Sequence, residues 1–285
     1  MDNLMKPSHK RNLKFEDLVD KSNLIRISKI KNLFIDYNHK IIDRYKQSIV
    51  WHDVGCLFFL YYLMQKYKNL CNIPLSNCNI VPIHNETILE WIDRLDVMMY
   101  DPDLQTDNQN LIYYDNHNFL FDKVLFQKCK SNDKLSILIV SHIFPKGSGH
   151  VGCIFIQNDN AYYYDSNGLK DCDEKEYYNI FENNLRKVLK EFDIVYIPYV
   201  WEKGIQHLQN NEESKYGLKI MGMCCSWSFL IIELKLLNPN LTIEEIENKI
   251  KKKYKYKLTR MIVTYQQKMH MELWDVANKL FKQRY

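Results

Sequence analysis

The alternation of apolar and polar positions changes rhythm near residue 133. Before it, the longer patterns repeat at helical spacing. Residues 48–66 keep one apolar face along their length, and residues 86–99 do the same behind Asn85 at an N-cap position. The stretch 101–110 is polar and turn-like. Its spaced aspartates, Asp101, Asp103 and Asp107, resemble the start of a calcium loop. Thr106 stands where such a loop needs glycine and Ile112 where it needs a bidentate glutamate, so that reading is excluded.

Beyond residue 133 the apolar runs shorten and become β-branched. Residues 135–144, 151–156 and 162–164 read as strands, and Asn158-Asp159-Asn160 turns the last two into a hairpin. Residues 174–191 read as a helix and 194–200 as a fourth strand with Pro198 near its end. Residues 224–237 form a strongly apolar helix stopped by Asn238-Pro239. Thr242, with Glu245 three positions on, opens the next helix as a capping box, and 260–283 make the last one. The expected fold class is therefore α+β: a small mixed β-sheet flanked by helices. A mainly helical N-terminal region, 1–133, precedes it as a candidate substrate-recognition lobe, with the sheet and its helices in 134–285.

Composition narrows the function. The chain has 285 residues, 46% of them apolar, enough to bury a core without cross-links. Net charge is only +4 with both signs interspersed, which gives no general case for nucleic acid or a membrane. The run 249–257, six lysines around Tyr254 and Tyr256, is the exception; a solvated helix end is the plainer reading, and nucleic acid the other. Eight cysteines occur, none in a Cys-x-x-Cys pair, so a structural zinc site is not expected and no cofactor is implied. Residues 1–30 carry charges throughout, which predicts no secretory leader, and hence reduced thiols in a cytoplasmic setting. The longest apolar stretch, 54–64, is too short to span a bilayer. Alanine occurs only at 161 and 277 while Lys, Asn, Ile and Tyr abound, the mark of an AT-rich genome.

The candidate chemistry centres on Cys224. A free thiol ionises near pH 8.5. An adjacent imidazolium, a helix N-terminus and partial exposure all lower that value. Cys224 opens an apolar helix behind Gly222-Met223, so the unpaired amides of the first turn lie near its sulfur. His150 begins a strand after the loop Pro145-Lys146-Gly147-Ser148-Gly149. Asp165 ends the next strand, so antiparallel pairing brings it toward His150, where a carboxylate can fix the ring's tautomer. The Cys224 amide and the Gln206 side chain are candidate donors to an oxyanion, with Gln209 as the alternative to Gln206.

In order and local motif these residues resemble a known group. Gly149-His150-Val151, Tyr163-Tyr164-Asp165-Ser166, Gln206, and Gly222-x-Cys224-x-x-Trp227-Ser228 are similar to the adenovirus-type and ubiquitin-like-protein-specific cysteine proteases. The stretch from Gly222 through Glu233 to Pro239 looks closest to protease-like proteins of large DNA viruses. The resemblance covers about residues 135–240. It implies a papain-like catalytic fold with Cys224 as nucleophile, His150 as base, Asp165 as orienting acid and Gln206 as oxyanion donor. It also implies a protein substrate, a polyprotein or a ubiquitin-like conjugate, cut near small or glycine residues, and a protein of host cytoplasm or virion.

Plainer readings stand beside these. Cys225, one helical step on, reads as core-facing but could itself be the nucleophile. His142 reads as structural and His207 as a surface loop residue. Trp227 reads as core, and Ser228 as bonded back to its own helix. Asp165 could only cap a turn, with Asn167 in the acid's place. His52, Asp53 and Cys56 could mimic a dyad, but no oxyanion site accompanies them. Two other functions remain open: acyl (acetyl) transfer on the same fold, and an inactive structural or interaction protein.

Overall fold

A computed structural model describes residues 19, 21–28, 59, 62–63, 66–67, 70–72, 135–143, 149–168, 175–198, 204–218, 220 and 223–282. The expected elements at 48–66 and 86–99, the polar stretch 101–110, and His52, Asp53 and Cys56 lie outside the described residues or are only touched by them.

Among the described residues, five strands form one mixed sheet: β1 (Leu70–Asn72), β2 (Leu135–Ile143), β3 (Gly149–Gln157), β4 (Asn160–Tyr164) and β5 (Val195–Ile197), in that spatial order. The central pairs β2–β3 and β3–β4 are antiparallel, and both outer pairs are parallel. The β3–β4 turn is made by Asn158 and Asp159, at φ 50° and 61°. Two successive positive φ values match the twist of a tight hairpin, and Asn and Asp tolerate them better than other side chains do.

Side chains on β3 are buried on both faces, which explains why its sequence shows an apolar run rather than alternation. Val151, Cys153 and Phe155 belong to one core; Ile154 and Ile156 belong to the other. Helix α1 (Lys175–Glu191) covers the second face through Tyr178, Leu185 and Leu189. Helices α2 (Ile205–Lys215), α3 (Cys224–Leu237), α4 (Ile243–Lys253) and α5 (Leu258–Lys282) gather on the first. Helix α3 is the hub. Every residue from Cys224 to Leu236 is buried, so it has no solvent face at all. Among the described residues, no helix is long and apolar enough to cross a membrane.

The polar residues 210–215 form the second half of α2. That helix buries Gln209, Glu212 and Glu213, so its packed face is polar and apolar periodicity is silent. The Glu212 carboxylate caps α5 by accepting the Leu258 amide at 2.8 Å. The strand expected over 194–200 is confined to Val195–Ile197, ending where Pro198 removes a ladder donor. The region before residue 134 contributes β1, a strand in the sheet itself. The capping box at Thr242 and Glu245 is present as expected.

Candidate active site

The hairpin β3–β4 and the two segments that follow it assemble a polar cluster at one end of the sheet. His150 is the second residue of β3, and Asp165 directly follows β4. The His150 Nε2–H donates to Asp165 Oδ1 at 2.7 Å. An ionised carboxylate only accepts, so Nε2 carries a proton and Nδ1 is the ring atom left for chemistry. By strand alternation His150 shares the α1 face with Ile154. Its position at the strand end lets the ring meet α3, which approaches from the other layer. The Cys224 thiol lies near enough to the His150 ring for each group to shift the other's ionisation. The structure thus pairs His150 with Asp165 and sets Cys224 in their electrostatic neighbourhood.

Asp165 is fully buried yet well satisfied. Oδ1 also accepts the Asn167 backbone N–H at 2.8 Å, and Oδ2 accepts the hydroxyls of Tyr178 at 2.9 Å and Tyr163 at 3.3 Å. Asp165 does cap a turn, as the plainer reading held, while also holding the ring. Asn167 does not take the acid's place. Its side-chain amide lies 3.4 Å from Nδ1, the opposite ring nitrogen.

Gln206 reaches the same region through α2. The Ser166 hydroxyl donates to Gln206 Oε1 at 2.7 Å, which orients the amide and leaves Nε2 as its donor. The backbone is tied as well: Gln206 N–H to Ser166 O and Gly204 N–H to Asn167 O, each at 2.9 Å. Gly204 is required by this approach, because a Cβ there would sit 2.0 Å from the Ser166 carbonyl oxygen. Gln209, the alternative, has both ends of its amide engaged in the core. Its Oε1 accepts Trp227 Nε1–H at 2.6 Å and its Nε2 donates to Glu213.

Helix α3 presents its first turn without a side-chain cap, since its N-cap residue is Met223. The Trp227 amide bonds to the Met223 carbonyl at this end, so the amide of Cys224 is not spent within the helix. Ser228 does not bond to its own helix; its hydroxyl donates to Val151 O at 3.2 Å and ties α3 to the residue after His150. Cys225 is buried in the core, as expected, and its thiol neighbours that of Cys224. His142 lies opposite His150 in the β2–β3 register, and His207 is half-exposed on α2 rather than on a loop.

Cys224 and His150 are each only 6% exposed, so the partial exposure that would lower a thiol's ionisation is missing. Helix α3 is enclosed on every side, and its first residue shares that enclosure. Burial disfavours the charged ring of His150, yet the Asp165 carboxylate overrides it and raises the group to about 10. Cys224 is pushed well above the ordinary thiol range, first by the neighbouring Cys225 thiol and then by burial, while His150 pulls the other way. A cavity of about 640 Å³ lies at the opposite end of β3 and β4, lined in part by Phe155, Asn158, Tyr162 and Thr242. It does not include Cys224 or His150. Among the described residues, no cluster of His, Cys, Asp and Glu is arranged to hold a metal ion.

Comparison with protein-family models, with curated proteins and with solved structures finds no match for this chain.

Sequence pattern gives no sign of the parts that Tyr178 and Ser166 play. Tyr178 sits on an apolar helix face with Leu185 and Leu189, where a tyrosine reads as one more core residue. Ser166 belongs to a motif, but nothing in the chain order announces that it orients Gln206.

Proposed function

We propose that this chain is a cysteine peptidase that cleaves a peptide or isopeptide bond next to small or glycine residues of a protein substrate. One observation carries the reading: His150 is held by Asp165 at 2.7 Å while the thiol that opens α3 lies near enough to the ring for the two to shift each other's ionisation. The order His150, Asp165, Gln206, Cys224 and its likeness to the adenovirus-type and ubiquitin-like-protein-specific proteases support it.

Attack begins from the thiolate–imidazolium pair, which forms when the Cys224–His150 couple loses one proton to solvent. The Cys224 sulfur adds to the carbonyl carbon, and the carbonyl π electrons move to oxygen. The Cys224 amide and Gln206 Nε2 are the donors for that oxyanion. Collapse expels the amine, which takes its proton from the His150 imidazolium. The neutral ring then accepts a proton from water as it adds to the thioester, and Cys224 is released with a carboxylic acid.

A second reading is favoured by the near-complete burial of Cys224: an interaction protein that keeps the fold without turnover. Glycyl-glycine vinyl sulfone and ubiquitin-like probes separate the two. Turnover predicts covalent labelling at Cys224 that is lost in Cys224→Ala and falls at least about 100-fold in His150→Ala. Peptide hydrolysis should drop by several orders of magnitude in Cys224→Ala while circular dichroism is unchanged. Labelling at the pace of an ordinary buried cysteine, indifferent to His150, leaves the interaction protein.

A further inference from the structure

Asp165 does not serve His150 alone. Its Oδ2 is claimed by two phenols from different layers, Tyr163 from β4 and Tyr178 from α1. The placement is built into the fold. Tyr163 crosses the sheet surface over Gly152 on the neighbouring strand, where a Cβ would lie 2.4 Å from the Tyr163 hydroxyl oxygen. The Tyr163 ring also meets the Phe181 edge of α1, with centroids 5.0 Å apart. Tyr178 comes from the opposite helix layer and makes the shorter of the two bonds.

We propose that Tyr178 and Tyr163 are positioning residues that divide the charge of Asp165, so that the carboxylate orients His150 without binding its proton too tightly to be delivered. The inference rests on the peptidase reading for its purpose, but the electrostatics stand on the geometry. Each phenol hydrogen bond draws carboxylate charge toward Oδ2 and away from the ring on Oδ1. Phenylalanine at 178 keeps the ring and removes one donor from a carboxylate that is fully buried. The other groups around this centre are the thiols of Cys224 and Cys225 on α3, the Cys153 thiol on β3 and the Asn167 amide. The Cys153 thiol is fully buried and held far above its ordinary range by burial and by Asp165, so it stays neutral. Tyr163 is pushed up in the same way and remains a donor across the accessible pH range.

The test is the titration of the His150 ring, followed by NMR in the full chain with selectively labelled histidine. Tyr178→Phe should move the His150 midpoint up by about half a pH unit or more, opposite to the fall that simple loosening of the Asp165 contact would give. Tyr163→Phe should move it the same way by less, because its bond is longer. Gly152→Ala, which displaces the Tyr163 ring, should match Tyr163→Phe. In peptide hydrolysis, Tyr178→Phe should lower kcat several-fold with KM unchanged. A midpoint that stays put or falls in Tyr178→Phe overturns the proposal. Should Tyr178→Phe fail to fold, the direction of the Tyr163→Phe shift decides in its place. The titration needs no turnover, so a chain without peptidase activity removes the proposed function while the ring measurement still decides this point.

Discussion

The contact between Cys224 and Cys225 sets the character of the thiol. Here the neighbouring Cys225 thiol leads burial in holding Cys224 above the ordinary thiol range. His150 opposes both. Alkylation of Cys224 by iodoacetamide should therefore keep rising as pH climbs past about 9, the region where an unperturbed thiol would already be ionised. Cys225→Ala should shift that rise to lower pH, and His150→Ala to higher pH. A rate that is already flat at neutral pH would contradict this balance. His150 also couples folding to pH. Its value is raised from 6.5 to about 10 on folding, chiefly by Asp165 against the opposing effect of burial. A raised value means that its stabilising contribution is whole below the unfolded value near 6.5 and is lost as pH rises through about 10. The gap in urea midpoint between wild type and His150→Ala should narrow from about pH 6 to about pH 10. A gap that holds constant would show that the ring is not charged in the folded chain.

At the level of elements, the site depends on how closely α2 can approach the turn after β4. Gly204 makes that approach, and the two backbone bonds to Ser166 and Asn167 follow from it. Gly204→Ala forces a carbon to within 2.0 Å of a carbonyl oxygen and cannot be relieved by a side-chain rotation. We expect a cost of about 2–4 kcal/mol in unfolding free energy. Gly217 is the control. It lies at φ +64° with nothing near its missing Cβ, so alanine there should cost only about 1 kcal/mol of backbone strain. Equal losses at the two positions in chemical denaturation would mean that the α2 start is not packed as described. The same element shows why part of the site was hard to read. A helix whose buried residues are Gln206, Gln209, Glu212 and Glu213 beside Ile205 carries a core-facing stripe made mostly of polar side chains, and each of these has a partner outside the helix.

Across the whole molecule, residues from the N-terminal third are joined to the C-terminal helices. The buried Glu233 carboxylate of α3 accepts Tyr62 at 3.1 Å, Lys66 and Tyr67 at 2.8 Å and Tyr265 at 2.9 Å. The Tyr254 hydroxyl reaches Val19 O, and Arg260 donates to the carbonyls of Leu24 and Ile25. β1 covers the edge of β2. A chain beginning at residue 134 would bare that strand edge and strip Glu233 of its bonds from Tyr62, Lys66 and Tyr67. Such a fragment should be poorly soluble or unfold at a much lower urea concentration than the full chain, measured by tryptophan fluorescence. A fragment as stable as the parent would support a domain boundary near residue 133.

The sequence by itself determined the local events. Chain order and periodicity placed the β3–β4 hairpin, the apolar helix from Cys224 to Leu237, the capping box at Thr242 and the succession His150, Asp165, Gln206, Cys224, because turns, caps and helical stripes depend on neighbours a few residues apart. Tertiary structure alone decided what surrounds them. The burial of Cys224, the phenols of Tyr163 and Tyr178 on Asp165, the choice of Gln206 over Gln209 as the amide with a donor to spare, and the strand from Leu70 to Asn72 all arise from contacts between distant segments. Such contacts depend on which faces share a core, and a one-dimensional pattern carries no record of that pairing.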